Sequence, residues 1–98
     1  MELWTNPMCS KSRSAEQILT EKGIPFTVRR YLDDPPTREE LAAVMAKLPD
    51  PASIARPGTE GDILDQLSRD PSLIERPIAI NGDRAVVARP PERVIEVL

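Results

Sequence analysis

The chain contains no histidine. That absence removes the Cys-His and Ser-His dyads that activate many enzymatic nucleophiles. With a single cysteine, it also removes the usual zinc ligand sets. The one cysteine, Cys9, excludes an internal disulfide, which fits a reducing compartment. Aromatic residues are scarce: Trp4, Phe26 and Tyr31 are the whole set. No apolar run approaches transmembrane length and no stretch resembles a signal peptide, so the expected location is cytoplasmic, with no membrane partner. Thirteen basic residues stand against sixteen acidic ones, a net charge of −3, and a chain-wide nucleic-acid footprint is absent.

What is present is enough for one small core. The chain has 98 residues, 40% of them hydrophobic, and shows no repeat or linker, so residues 1–98 are expected to form a single α/β domain. "ELWT" at 2–5 reads as a short strand, broken by Asn6-Pro7. From about Ser10 the pattern turns helical, with Ala15, Ile18 and Leu19 at helical spacing and Gly23 placed to stop the helix. "IPFTVRRYL" at 24–32 reads as a second strand. Thr37 and Glu40 form a capping box ahead of Leu41, Val44, Met45 and Leu48. "ASIARPGTEG" reads as a loop and "DILDQLSRD" as a short helix. "RPIAINGDRAVVARP" reads as a hairpin turning at Asn81-Gly82, and "ERVIEVL" as a terminal helix. A β-α-β unit followed by a hairpin predicts a four-stranded mixed sheet.

Cys9 lies between an Asn-Pro turn and the predicted helix, with Lys11 and Arg13 close by in sequence. A helix N-terminus presents unpaired N–H groups and partial positive charge, which favour the thiolate. Such settings lower a cysteine pKa from about 8.5 to roughly 3.5–7.5. A free cysteine is often just a small buried hydrophobe. The neighbours here are polar and basic, which points to a reactive thiol. Ser12 stands where a dithiol motif would place a second cysteine, so turnover through Cys9 needs a thiol from another molecule.

Arg56-Pro57, Arg76-Pro77 and Arg89-Pro90 are three Arg-Pro pairs, where composition predicts about one. A residue before proline is pushed to extended conformations, so these arginines sit on stiff, non-helical segments. Arg76 and Arg89 bracket the predicted hairpin, whose strands can bring them together. Gathered guanidiniums suit a tetrahedral oxyanion. They could instead pair one by one with nearby acids such as Glu75 and Glu92.

"TNPMCSKSR", "YLDDPPTREEL", "LIERPIAI" and "VARPPERV" together resemble the glutaredoxin-coupled arsenate reductase family, which includes the Spx-type regulators. The resemblance covers nearly the whole chain. It implies a thioredoxin-like fold with a short helical insert and a cis peptide before Pro77. It implies a reaction in which Cys9 attacks arsenate, glutathione attacks the adduct, and glutaredoxin reduces the mixed disulfide. No bound cofactor is implied; glutathione is a co-substrate. Arg76, Arg89 and Arg56 would hold the oxyanion, and Ser12 and Arg13 would support the thiolate. The chain departs from the family in two places. Only 19 residues separate Arg56 from Arg76, a shortened insert, and Thr5 replaces the family's histidine before Asn-Pro.

Two further readings compete with arsenate reduction. One is a glutathione-linked thiol oxidoreductase that never uses arsenate. The other is a Spx-like module that binds a transcription partner, although the Cys-x-x-Cys switch frequent in those regulators cannot form here.

Overall fold

A computed structural model describes residues 1–98. The chain runs β1 (Glu2–Thr5), α1 (Ser10–Glu21), β2 (Thr27–Arg30), α2 (Arg38–Lys47), α3 (Ile63–Arg69), β3 (Ile78–Asn81) and β4 (Arg84–Val87). Short 3-10 turns at Pro51–Ile54 and Pro71–Leu73 flank α3, and a 3-10 helix at Pro91–Val97 ends the chain. The four strands form one sheet in the order β2-β1-β3-β4. β1 pairs parallel with β2, and β3 pairs antiparallel with both β1 and β4. This is the four-stranded mixed sheet of the thioredoxin-like class.

Successive residues on a strand face opposite ways, so the sheet divides its apolar side chains between two cores. Trp4, Ile78, Ile80, Ala85 and Val87 pack with Leu41, Val44 and Leu67 of α2 and α3. Leu3, Ala79 and Val86 pack on the other face against Ala15 and Leu19 of α1 and against Val94 and Val97.

The caps follow the sequence. Gly23 has φ +68°, Gly23 N–H donates to the Thr20 carbonyl and Ile24 N–H to the Leu19 carbonyl, both at 3.0 Å. That pattern closes α1 with a glycine in the left-handed region. At α2, Glu40 N–H donates to Thr37 Oγ1 at 3.1 Å and Thr37 N–H donates to Glu40 Oε1 at 2.9 Å.

Three expectations need correction. The second strand is only Thr27–Arg30, because β1 offers four residues to pair with and the Ile24 N–H is already used in capping α1. The hairpin turns at Gly82-Asp83 rather than Asn81-Gly82, since Asn81 still pairs with Arg84. Gly82 alone takes a positive φ there, +61°, as the first central residue of a two-residue hairpin loop. The freed Asn81 amide donates instead to the Val97 carbonyl at 2.7 Å. The C-terminal segment is a 3-10 helix, not an α-helix. Its buried Val94 and Val97 are three residues apart, and a three-residue turn stacks such positions on one side.

Candidate active site

Strand register gathers the chemistry at one end of the sheet. Continued two residues beyond its last pair, the β3–β4 register sets Arg89 opposite Arg76. The β1–β3 register continued likewise sets Asn6 opposite Arg76, and one further step along β1–β2 sets Tyr31 opposite Asn6. This is the carboxyl end of the parallel pair β1 and β2, where α/β sheets commonly bind ligands.

Asn6 organises the loop that presents the thiol. Its carbonyl accepts from Cys9 N–H at 2.9 Å, its Oδ1 accepts from Met8 N–H at 3.0 Å, and its own N–H donates to Ser12 Oγ at 3.2 Å. Side-chain acceptance from a backbone N–H two residues on is the habitual role of asparagine in turns. Cys9 is then the N-cap residue of α1, in extended conformation, half-buried beside an 85% exposed Met8.

Partial burial pushes the Cys9 thiol up. The N–H groups of Ser12 and Lys11, the Ser12 hydroxyl and the Arg76 guanidinium outweigh it, and the net shift is downward. Cys9 makes no side-chain cap hydrogen bond, so these donors are aimed at the sulfur's charge without a tight cap geometry. The Lys11 contribution comes from its backbone, as a helix N-terminus supplies it, and not from its ammonium.

The two hairpin arginines meet. Arg89 Nη1 donates to the Arg76 carbonyl at 3.0 Å, and Ala88 N–H donates to the Pro77 carbonyl at 2.8 Å. The Arg76-Pro77 and Arg89-Pro90 peptides are both cis. Glu75 is shared between the guanidiniums, its Oε1 lying 3.9 Å from Arg76 Nη1 and 3.7 Å from Arg89 Nη1. Arg76 Nε is buried with no hydrogen-bond partner. Cys9, Ser12, Arg76 and Arg89 therefore form one cluster, with a donor left over.

Arg13 and Arg56 make no hydrogen bond within that cluster, although the Arg56 charge reaches Tyr31 beside it. Arg13 Nη1 donates to the Pro7 carbonyl at 2.9 Å, so its guanidinium braces the loop rather than touching the sulfur. Arg56 is carried on a short segment paired with the approach to β3. Its N–H donates to the Leu73 carbonyl at 2.8 Å, and Glu75 N–H donates to the Ile54 carbonyl at 2.7 Å. The side chain is exposed and lines an open pocket of about 640 Å³ with Thr59, Glu60 and Gln66. That pocket, the largest in the molecule, contains no thiol and neither hairpin arginine, so its size does not make it the reactive centre.

Two residues of the cluster escaped the sequence reading. Tyr31 is 1% exposed, its hydroxyl 3.5 Å from the Ile74 carbonyl. Burial pushes it up to about 12, while the nearby Arg76 and Arg56 charges pull the other way and the Cys9 and Glu75 charges add to the rise. Glu75 was legible only as one of several acids near an arginine. Its place between two of them depends on the hairpin register.

Comparisons with known proteins agree with this architecture. Residues 1–51 match the model of the glutaredoxin family. An uncharacterised protein in the glnII region of Streptomyces viridochromogenes is 39% identical, over all of this chain and 98% of its own. That alignment spans 117 positions against the 98 residues here, in keeping with a shortened insert. The arsenate reductase of Haemophilus influenzae is 35% identical over 98% of this chain and 97% of its own. The solved arsenate reductase of Vibrio cholerae superposes with a TM-score of 0.86 at 33% identity, covering 100% of this chain and 98% of that one. With a thiol at a helix start and paired arginines at the same end of the sheet, the chain belongs to the arsenate reductase family.

Proposed function

We propose that the protein reduces arsenate to arsenite through Cys9, with glutathione as co-substrate and glutaredoxin as the final thiol donor. The observation that carries this reading is the joint placement of Cys9 and Arg76, a thiol with lowered pKa beside a guanidinium that has an unpaired buried donor. The Cys9 thiolate attacks arsenic, an S–As bond forms and an arsenate oxygen leaves as water. Arg76 and Arg89 offset the negative charge of the oxyanion during attack. A glutathione thiolate then attacks the Cys9 sulfur. The S–As electron pair passes to arsenic, which leaves as arsenite, and a Cys9–glutathione mixed disulfide remains. Glutaredoxin resolves that disulfide, which this chain cannot do alone because it has no second cysteine. The overall change converts arsenate and two thiols to arsenite, a disulfide and water. Cys9 is only partly buried, so a partner thiol can reach its sulfur. The reading places the protein in a reducing cytoplasm.

The second reading, a glutathione-linked oxidoreductase without arsenate activity, draws on the glutaredoxin match, which contains Cys9 but none of the Arg-Pro pairs. One assay separates the two. Purified protein is combined with glutathione, glutathione reductase and NADPH, and NADPH oxidation is followed with arsenate in the presence of glutaredoxin and, separately, with a glutathione mixed disulfide in its absence. Arsenate-dependent oxidation that vanishes in Cys9→Ser is expected. Turnover of the mixed disulfide alone would transfer the assignment to the second reading.

A further inference from the structure

A clamp for a fully deprotonated oxyanion needs only donors, yet this one contains a carboxylate. Glu75 is 12% exposed at its side chain. Its Oε1 lies within 4 Å of one guanidinium nitrogen from each of Arg76 and Arg89, and the Arg76 backbone N–H points at the same oxygen at 3.4 Å. Its second oxygen, Oε2, takes part in none of these contacts. An ionised carboxylate accepts hydrogen bonds and cannot donate them. An anion entering between the two arginines therefore meets donors on the guanidiniums and an acceptor on Glu75.

We propose that Glu75 is a specificity-determining residue that selects oxyanions carrying a proton. Arsenate and phosphate keep an ionisable hydroxyl at neutral pH and can donate it to the carboxylate while their remaining oxygens accept from Arg76 and Arg89. Sulfate has no such hydroxyl, so its oxygens face Glu75 as like charges with no bond between them. A site of this kind rejects the wrong ligand by setting like charges against each other in a partly buried place with no proton to bridge them, a stronger discrimination than a difference in fit. The inference rests on the reading of this cluster as an arsenate site.

Binding of inorganic phosphate and of sodium sulfate to the wild-type protein, measured by calorimetry at neutral pH, tests it without any turnover. Arsenate binding to Cys9→Ser is measured alongside. Phosphate should bind at least about tenfold more tightly than sulfate. Glu75→Gln, which keeps the shape and removes the charge, should bring the two affinities to within a few fold, chiefly by tightening sulfate. A purely structural role for Glu75 would weaken both anions together. Equal phosphate and sulfate affinity in the wild type overturns the proposal even if the variant does not fold. So does an unchanged ratio in a folded Glu75→Gln, and in both cases arsenate binding to Cys9→Ser leaves the arsenate reading standing. Failure of arsenate, phosphate and sulfate alike to bind removes the anion site and the proposal with it.

Discussion

Arg29 and Arg76 are both largely buried guanidiniums, 14% and 18% exposed at the side chain, and they are held in opposite ways. Arg29 sits on β2 with its centre 5.5 Å from the Trp4 ring centroid. It grips both oxygens of Glu40 with two nitrogens, donates to the Asp34 and Pro35 carbonyls at 3.0 and 3.2 Å, and faces Asp34 Oδ2 at 3.4 Å. Arg76 has one long contact to Glu75 at 3.9 Å, acts on the Cys9 thiol, and keeps a buried Nε with no partner. A satisfied guanidinium stabilises the fold it is built into. An unsatisfied one costs stability, and it is kept where an anion is to be met. The difference separates structural charge from functional charge within one small sheet.

The largest effect should come from replacing Arg76. Arg76→Lys keeps the charge but removes the fork. Its kcat/KM for arsenate should fall roughly 10- to 100-fold, the loss of one charge-assisted pair of hydrogen bonds, with little change in melting temperature. Arg89→Lys should follow in the same direction with a smaller loss, because Arg89 is 35% exposed and is not among the groups acting on Cys9. Arg56→Lys should do least, since its side chain points into the open pocket. Steady-state kinetics across the three variants gives the order, and an undiminished Arg76→Lys would remove the distinction between the two arginines.

Arg29→Lys should do the converse. Its arsenate kinetics should stay within about twofold of wild type. Losing the bidentate grip on Glu40 should cost roughly 1 kcal/mol, less than a buried charged hydrogen bond because Glu40 is 42% exposed and solvent screens it. In a domain of this size that lowers the melting temperature by about 4–8 °C.

A smaller effect is expected from acid. The Arg29 hydrogen bonds, aided by the Thr37 backbone, hold the Glu40 carboxyl down at about 2. A carboxyl with a depressed folded value stabilises above its unfolded value of about 4.3 and loses that contribution as pH falls toward 2. Wild-type stability measured by denaturant titration should therefore drop across that window, and Arg29→Lys should drop less. Equal acid sensitivity in the two proteins would show that the pair contributes nothing measurable.

The two regions also differed in how much of them could be read from sequence. Thr37 and Glu40 are three residues apart in one helix, so the capping box was visible at once; the grip of Arg29 on Glu40 crosses from β2 to α2 and was not. At the reactive end, Cys9 was legible because an Asn-Pro turn, a thiol and a helix start are neighbours in the chain. Arg76 and Arg89 were legible because a hairpin joins them. Glu75 was legible as a partner for one arginine but not for two, since its sharing depends on the hairpin register; Tyr31 was not legible, because its place depends on pairing across β2, β1 and β3, and nothing local fixes those registers. The hairpin turn was misplaced by one residue, since Asn81 suits a tight turn yet is used in the β3 ladder and on the C-terminal 3-10 helix.

The central claim is that the donors at this end of the sheet are set for negative charge on sulfur and on oxyanion. The rate of Cys9 alkylation by iodoacetamide against pH tests it most directly, because Cys9 is the only thiol in the chain and no histidine can account for the result. The midpoint should lie below that of an unperturbed thiol and should rise in Arg76→Ala, where a group that lowers it is lost. A wild-type midpoint at or above the unperturbed value would contradict the account.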